Sequence, residues 1–359
     1  MTDPTPTGVA TGDTVLVIGA GLVGTSLGLA LTEHGYRVFL QDLTSSHALV
    51  AAGLGAGSVE SPDHVDIVVV AVPPTMTGPV VVDALRAHPG ATVTDVASVK
   101  APIMAHVRHA GADVSRYIGS HPMAGSQRSG PLTARSDLFV DRTWVIIVDE
   151  DQEPARRAQV ERMALVSGAH VEHMDSLEHD QAVAEVSHVP QILSSLMAGN
   201  LRGVLPSHLR LAGQGVRDVT RIAASDVAMW TQIITANHEA ISAQLAILNE
   251  AWDRVRTHLD SPDAVAAFLA SGNDGARALP GKHGRTPHDY QFVVVEIPDS
   301  PGALARLFAD IDAVGVNVED LRIEHDRARE VGYMSIAVDP ERVDGLEQAI
   351  RDAGWTLRA

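Results

Sequence analysis

The run Gly19-Ala20-Gly21-Leu22-Val23-Gly24 constrains this chain more than any other feature. It follows the β-branched stretch at residues 14–18 and opens a helical stretch at residues 22–34. A G-x-G-x-x-G alone is a weak signal, but the strand-to-helix setting gives each glycine a mechanical role. Gly19 makes the tight turn, Gly21 lets a pyrophosphate approach the backbone, and Gly24 lets helix and strand pack closely. Leu22 begins the helix, whose free N–H groups and positive dipole end face the anion. Asp42 follows about 20 residues on, where a carboxylate accepts from a ribose 2′-OH and repels a 2′-phosphate. No arginine follows Asp42 directly, so the residues favour NAD over NADP.

Periodicity divides the chain into an α/β part, an all-α part and a small α+β part. Residues 1–12 read as a disordered leader. Residues 13–173 alternate strands (14–18, 38–40, 67–72, 92–96, 144–148) with helices (22–34, 75–87, 99–109, 154–167). This is a Rossmann domain with a doubly covered parallel sheet. Residues 174–273 lose the strand signal and predict long helices at 175–201, 207–223 and 226–259, the last capped by Ser225 or Asp226. Helices this rich in Ala, Leu, Ile and Val predict a homodimer. Residues 274–289 form a Gly/Pro-rich linker, and residues 290–359 predict βαββαβ, with strands at 292–297, 317–324, 333–338 and 355–357 and helices at 302–314 and 342–353.

Composition removes whole classes of chemistry. The formal charge is −18 with no basic block, which argues against nucleic-acid and membrane partners. There are no cysteines, so disulfides, thiolate nucleophiles and Cys-type zinc sites are excluded. Lys100 and Lys282 are the only lysines. The longest apolar runs are strand-sized, and the first residues carry neither a basic region nor an apolar core, so a cytoplasmic protein is expected.

Two segments fall past carboxyl strand ends, where open α/β sheets bind ligands: residues 94–100 and residues 119–127, the latter read as a loop because of Pro122 and Gly125. His121 is the candidate base, since an imidazole near neutral pKa accepts a hydroxyl proton while hydride leaves the same carbon. From position alone, a loop histidine among 17 is an equally open reading. Ser98 reads as a helix N-cap or an active-site donor, and Lys100 as solvated. In the helical part, Ser187, His188 and Gln191 are neighbours, as are Arg217, Asp218 and Arg221, with an Asp218–Arg221 surface pair the plain alternative.

Taken in order, these segments resemble the prephenate dehydrogenase family. The likeness rests on G-x-G-x-x-G, Asp-x-x-Ser-x-Lys at 95–100, His-Pro-Met-Ala-Gly at 121–125, Val186-Ser187-His188, Asp218-x-Thr220-Arg221-Ile222-Ala223, Ser225-Asp226 and Met229-Trp230. The resemblance implies NAD-dependent oxidative decarboxylation of prephenate to 4-hydroxyphenylpyruvate in tyrosine biosynthesis. It implies that His121 deprotonates the ring hydroxyl, Ser98 bonds the same region, and Arg221 grips a carboxylate. Ser187 and His188 would line the substrate pocket and Trp230 would close it. Some members carry Glu where this chain has Gln127, and His where it has Gln191. A carboxylate would complement the ammonium of arogenate, so neutral Gln127 favours prephenate, with arogenate the alternative. A β-hydroxyacid dehydrogenase would need a helical lysine that residues 174–273 lack. A non-catalytic sensor of NAD and an amino acid would form no NADH.

The C-terminal order resembles an ACT domain, carried by residues 296–304. That likeness implies an aromatic amino acid effector, with Asp299, Gly302, Ala303, Leu304 and Asn317 as its binding residues and the free N–H groups of residues 302–304 receiving a carboxylate. A purely structural module is the alternative.

Overall fold

The structure is a computed structural model that describes residues 12–125, 130–279, 290–326 and 331–358. Gln127, nearly all of the expected leader and most of the expected linker lie outside the described residues. Two compact units are present, Met1–Glu250 and Ala251–Ala359.

The first unit is built on seven strands: β1 (Thr14–Ile18), β2 (Arg37–Gln41), β3 (Ile67–Val70), β4 (Thr92–Asp95), β5 (Tyr117–Pro122), β6 (Thr143–Ile147) and β7 (His170–Met174). Their order is β2-β1-β3-β4-β5-β6-β7. Pairing is parallel through β5, antiparallel between β5 and β6, and parallel between β6 and β7. All four residues of β3 are buried, because helices cover both faces. Alternation sorts the side chains: Val15, Ile67 and Val69 pack with Leu27, Leu31 and Trp144 on one face. Leu16, Val68 and Val93 pack with Leu85, Ile103 and Met104 on the other. Each such fully buried side chain contributes about 1.5–3 kcal/mol relative to exposure.

Three elements depart from the sequence reading. Residues 119–122, expected as loop, belong to β5; Pro122 is tolerated because it is the terminal residue, opposite Trp144. The exposed, polar β7 and the helix Ser45–Gly53 give no clear periodic signal and were not expected. β7 is held by its backbone register with β6.

The helical region is more broken than its periodicity suggests. Ser176–Val183 and Val189–Asn200 are joined by a π-helical turn at Ala184–His188. The expected helix 207–223 is Pro206–Leu209, Gln214–Thr220 and the turn Arg221–Ala223, interrupted around Gly213. The expected helix 226–259 is Val227–Ala236 and His238–Arg256, parted at Asn237. Asp226 caps the first of these by accepting from the Met229 N–H at 2.8 Å; Ser225 instead accepts from Gln191 Nε2 at 2.8 Å. No described helix is long and apolar enough to cross a membrane.

In the second unit, the helix Pro262–Ala278 runs through the first residues assigned to the linker. Gly275, like Gly272 in the same helix, costs it only about 1 kcal/mol. The module that follows has β8 (Gln291–Pro298), β9 (Asp320–Asp326), β10 (Val331–Val338) and β11 (Thr356–Arg358), with helices Ala303–Val314 and Val343–Asp352. This is the expected βαββαβ order, closed as an antiparallel sheet β11-β8-β10-β9. Val293, Val295, Ile297, Met334 and Ile336 pack against Leu307, Ile311, Leu346 and Ile350. Asn317 does not begin the second strand, which starts at Asp320; its side chain donates to Glu319 Oε1 at 2.7 Å.

Candidate active site

The strand order reverses about β1, so a crevice opens between the carboxyl ends of β1 and β3. Gly19 closes that turn with φ +108°, and a Cβ there would stand 2.3 Å from the Ala71 carbonyl oxygen. A Cβ on Gly24 would stand 1.9 Å from the Gly19 carbonyl oxygen. A Cβ on Gly21 would meet nothing within 4 Å. The first and third glycines thus serve packing, and the second leaves open space beside the backbone. No side chain caps the helix Leu22–Glu33, so its first N–H groups stay available to an anion. Asp42 follows directly on β2; its Oδ2 accepts the Ala20 N–H and its Oδ1 the Thr44 N–H, each at 2.7 Å. The acid is fixed against the glycine turn, where the fingerprint needs it.

Because β1, β3, β4 and β5 are parallel, their carboxyl ends share one edge of the sheet with the glycine turn. His121 stands on that edge, near the end of β5, 8% exposed. A buried polar group lies beneath it. Lys100, only 1% exposed, forms an ion pair with Asp95 and donates to the Ser120 carbonyl at 2.7 Å. Tyr117 donates to Asp95 Oδ1 at 2.6 Å, and the Ala97 N–H to Oδ2 at 2.9 Å. Ser120 Oγ donates to the Asp95 carbonyl at 2.7 Å and accepts from Trp144 Nε1 at 3.0 Å. The solvated reading of Lys100 is therefore wrong: the one lysine of this unit is the internal counter-charge to Asp95. Burial lowers its pKa, while Asp95 and Asp180 act to raise it. Burial, with Asp95 alongside, holds the Tyr117 hydroxyl well above its usual range.

Ser98 does not cap the adjacent helix. Ala101–His109 begins with Lys100 at its N-cap, and the N–H groups of Lys100 and Ala101 donate to Asp180 Oδ1 and Oδ2 at 2.8 and 2.9 Å. A carboxylate from residue 180 thus occupies the positive end of that helix. Asp180 Oδ1 also lies 2.7 Å from His179 Nδ1, and His179 Nε2 lies 2.9 Å from His121 Nδ1. The Asp180 carbonyl accepts from Asn237 Nδ2 at 2.8 Å, and the same nitrogen donates to His188 Nδ1 at 3.0 Å. The His188 ring meets Trp230 edge-on, centroids 6.0 Å apart.

One continuous chain of contacts therefore runs from His121 through His179, Asp180, Asn237 and His188 to Trp230. Sequence reading missed His179, Asp180 and Asn237. A polar residue at a helix start or break is an ordinary feature, and nothing in their spacing points to residue 121. Burial pushes the His121 imidazole well below its ordinary range, helped by His179, Lys100 and His188. Burial likewise takes His188 from about 6.5 to about 4. Both rings are neutral at physiological pH, and a neutral imidazole is a proton acceptor.

Trp230 also lines a cavity of about 320 Å³ with Gln191, Ser195, Ser225, Thr231 and Ile234. Ser98 and Ser187 are half-buried and join neither this lining nor the hydrogen-bonded chain. Arg221 is exposed on the turn that ends at Ala223, itself a lining residue. The Asp218–Arg221 pair does not form: Asp218 accepts from Gln214 Nε2 at 2.7 Å. In the second unit, Gly302 takes the left-handed conformation at φ +84° and Asp299 is exposed. The Ala303 N–H, expected free, is taken by the Ser300 carbonyl at 3.2 Å, which leaves less of a carboxylate cradle than the sequence implied.

A dinucleotide turn and a neutral buried imidazole on one sheet edge define an oxidoreductase of the dehydrogenase class. The prephenate dehydrogenase nucleotide-binding domain model matches residues 27–173, and the prephenate dehydrogenase dimerization domain model matches residues 175–268. The chain belongs to the prephenate dehydrogenase family. A probable prephenate dehydrogenase, NovF, of Streptomyces niveus is 32% identical over 95% of this chain and 98% of its own. The prephenate dehydrogenase of Bacillus subtilis is 28% identical over 90% of this chain and 92% of its own. A structure of prephenate dehydrogenase from A. aeolicus with hydroxyphenyl propionate and NAD+ has the same fold: TM-score 0.67 and 22% identity over 74% of this chain and 97% of that one.

Proposed function

We propose that the chain catalyses the NAD-dependent oxidative decarboxylation of prephenate to 4-hydroxyphenylpyruvate. His121 carries this reading: it is buried, held in its neutral form, and placed on the sheet edge that carries the dinucleotide turn. Gly19, Gly21, Leu22, Gly24 and Asp42 hold NAD, which supplies the hydride acceptor when bound. His121 takes the ring hydroxyl proton, Ser98 bonds the same hydroxyl, and Arg221 binds a substrate carboxylate with charge-assisted hydrogen bonds of about 1.5–3 kcal/mol each. Ser187, His188 and Trp230 shape the pocket. The exposed, unpaired state of Arg221 among the described residues suits a cation that waits for an anion.

The described cavity lining contains no carboxylate. Neutral Gln127 offers the ammonium of arogenate no charge, which favours prephenate, whose keto group needs none. The test is NADH formation at 340 nm with prephenate and arogenate, each with NAD and NADP. Prephenate with NAD should give the highest kcat/KM; a higher value on arogenate refutes the preference, and no NADH from any pair refutes the activity.

Two further readings complete the proposal. The exposed Leu193, Leu196 and Met197 of the helix Val189–Asn200 suit a homodimer contact, tested by sedimentation. The βαββαβ module binds an aromatic amino acid, tyrosine or phenylalanine, near Asp299, Gly302, Ala303, Leu304 and Asn317. Titration of each into the full-length enzyme by calorimetry should show saturable heat; none for either leaves a structural role.

A further inference from the structure

We propose that His179 and Asp180 act as positioning residues that fix the tautomer of His121 and hold the charge of its captured proton. The inference rests on the reading of His121 as the base. A carboxylate only accepts hydrogen bonds, so Asp180 Oδ1 at 2.7 Å requires the proton of His179 on Nδ1. His179 Nε2 is then an acceptor, and the 2.9 Å contact requires His121 to carry its proton on Nδ1. The free lone pair of His121 is thereby placed on Nε2. The two backbone N–H groups of residues 100 and 101 lock the Asp180 carboxylate, so the chain of donors cannot reverse.

The reaction makes a specific demand on this arrangement. The hydroxyl proton goes to His121 Nε2 as hydride leaves the same carbon. The bond from the ring to its carboxylate breaks, CO₂ departs, and the electron pair completes an aromatic phenolate. The phenolate oxygen then takes the proton back from Nε2. No net proton is released, so the base needs no exit to water but must carry a positive charge while buried. The groups around it are His179, Lys100 and His188, with Asp95 paired to Lys100. Asp180 is the remaining negative charge, reached through His179.

The test is ¹⁵N-histidine spectroscopy and steady-state kinetics on the full-length enzyme. His121 signals are assigned by their loss in His121→Asn. Wild type should show His121 protonated on Nδ1 and bare on Nε2. In Asp180→Asn, an amide that donates to His179 reverses both tautomers, and Nε2 of His121 becomes protonated. An orienting carboxylate of this kind is worth about 10⁴-fold in the serine hydrolase triad. We expect kcat to fall at least about 100-fold, with KM and NAD affinity within about threefold. The acid limb of the pH profile should move to lower pH, since His121 loses its stabilising anion.

His179→Gln retains an acceptor for His121 Nδ1 and should keep the wild-type His121 tautomer; it serves as the second variant should Asp180→Asn not fold. Proton on Nε2 in the wild type, or Asp180→Asn with an unchanged tautomer and kcat within threefold, overturns the proposal. A changed tautomer in His179→Gln also overturns it. Absence of NADH from the wild type fails the activity reading, while the tautomer spectra judge the relay independently.

Discussion

The two units bury different things. In the first, the carboxyl ends of β4 and β5 bury Asp95, Lys100, Ser120, His121, His179, Asp180 and His188 around one another. In the second, no buried residue is charged, and the βαββαβ core is aliphatic apart from Met334 and the half-polar ring of Tyr333. A buried ion pair is weak support for stability, since hydrophobic packing does as well or better. The first unit therefore carries a polar interior for what it does to residue 121, and the second shows what the same chain builds when only packing is required. Substitutions should separate accordingly: those in the first unit reach the rate, whereas those in the second reach stability alone.

The largest separation is expected at His121. His121→Asn should lower kcat by about 10²–10⁴-fold, the usual worth of a general base, with little change in melting temperature or NAD affinity. Next is Lys100→Met, which leaves the Asp95 carboxylate buried without its counter-charge. Stripping one partner from a buried pair costs about 3–5 kcal/mol, read by urea unfolding of the first unit. A loss below about 1 kcal/mol would mean that water reaches Asp95 and that this interior is not sealed. In the second unit, Leu346→Ala opens a cavity in a fully buried core and should cost about 2–5 kcal/mol there, with kcat unchanged at temperatures below its transition. Equal losses of kcat and stability would break the contrast between the units.

The same contrast explains what could be read from sequence. The glycine turn and the βαββαβ order were legible because both are written in local rules: φ above zero at Gly19, period-2 and period-3.6 apolarity elsewhere. His121 was legible only as a candidate, since a histidine near a strand end is ordinary until its partners are known. Its partners lie 58 residues away at His179 and beyond, on a helix start that carries no signal of its own. Lys100 was misread because lysine is usually solvated, and only the fold brings Asp95 and Ser120 O around it. The break at Asn237 was missed because long-range bonds outweighed continuous helical periodicity, and the one near Gly213 because a glycine inside a helical pattern is only a weak stop signal. Asn237 leaves its helix to bond Asp180 and His188 at once.

The smallest predicted effect tests whether the polar interior is a liability as well as a device. His188 titrates near 6.5 when unfolded and at about 4 when folded, and His121 is depressed too. A depressed folded pKa means that the unfolded state binds protons first, so this contribution is intact above pH 6.5 and is lost as pH falls toward 4. Between pH 7 and 5.5 His188 should cost the first unit about 1 kcal/mol. Urea unfolding of wild type and His188→Gln at both pH values measures it: the wild type should lose about 1 kcal/mol more than the variant. The second unit buries no histidine among its described residues, so its unfolding should not show this histidine-linked loss. An identical pH slope in wild type and variant would mean that His188 is reached by water, and the sealed chain from His121 to Trp230 would have to be redrawn.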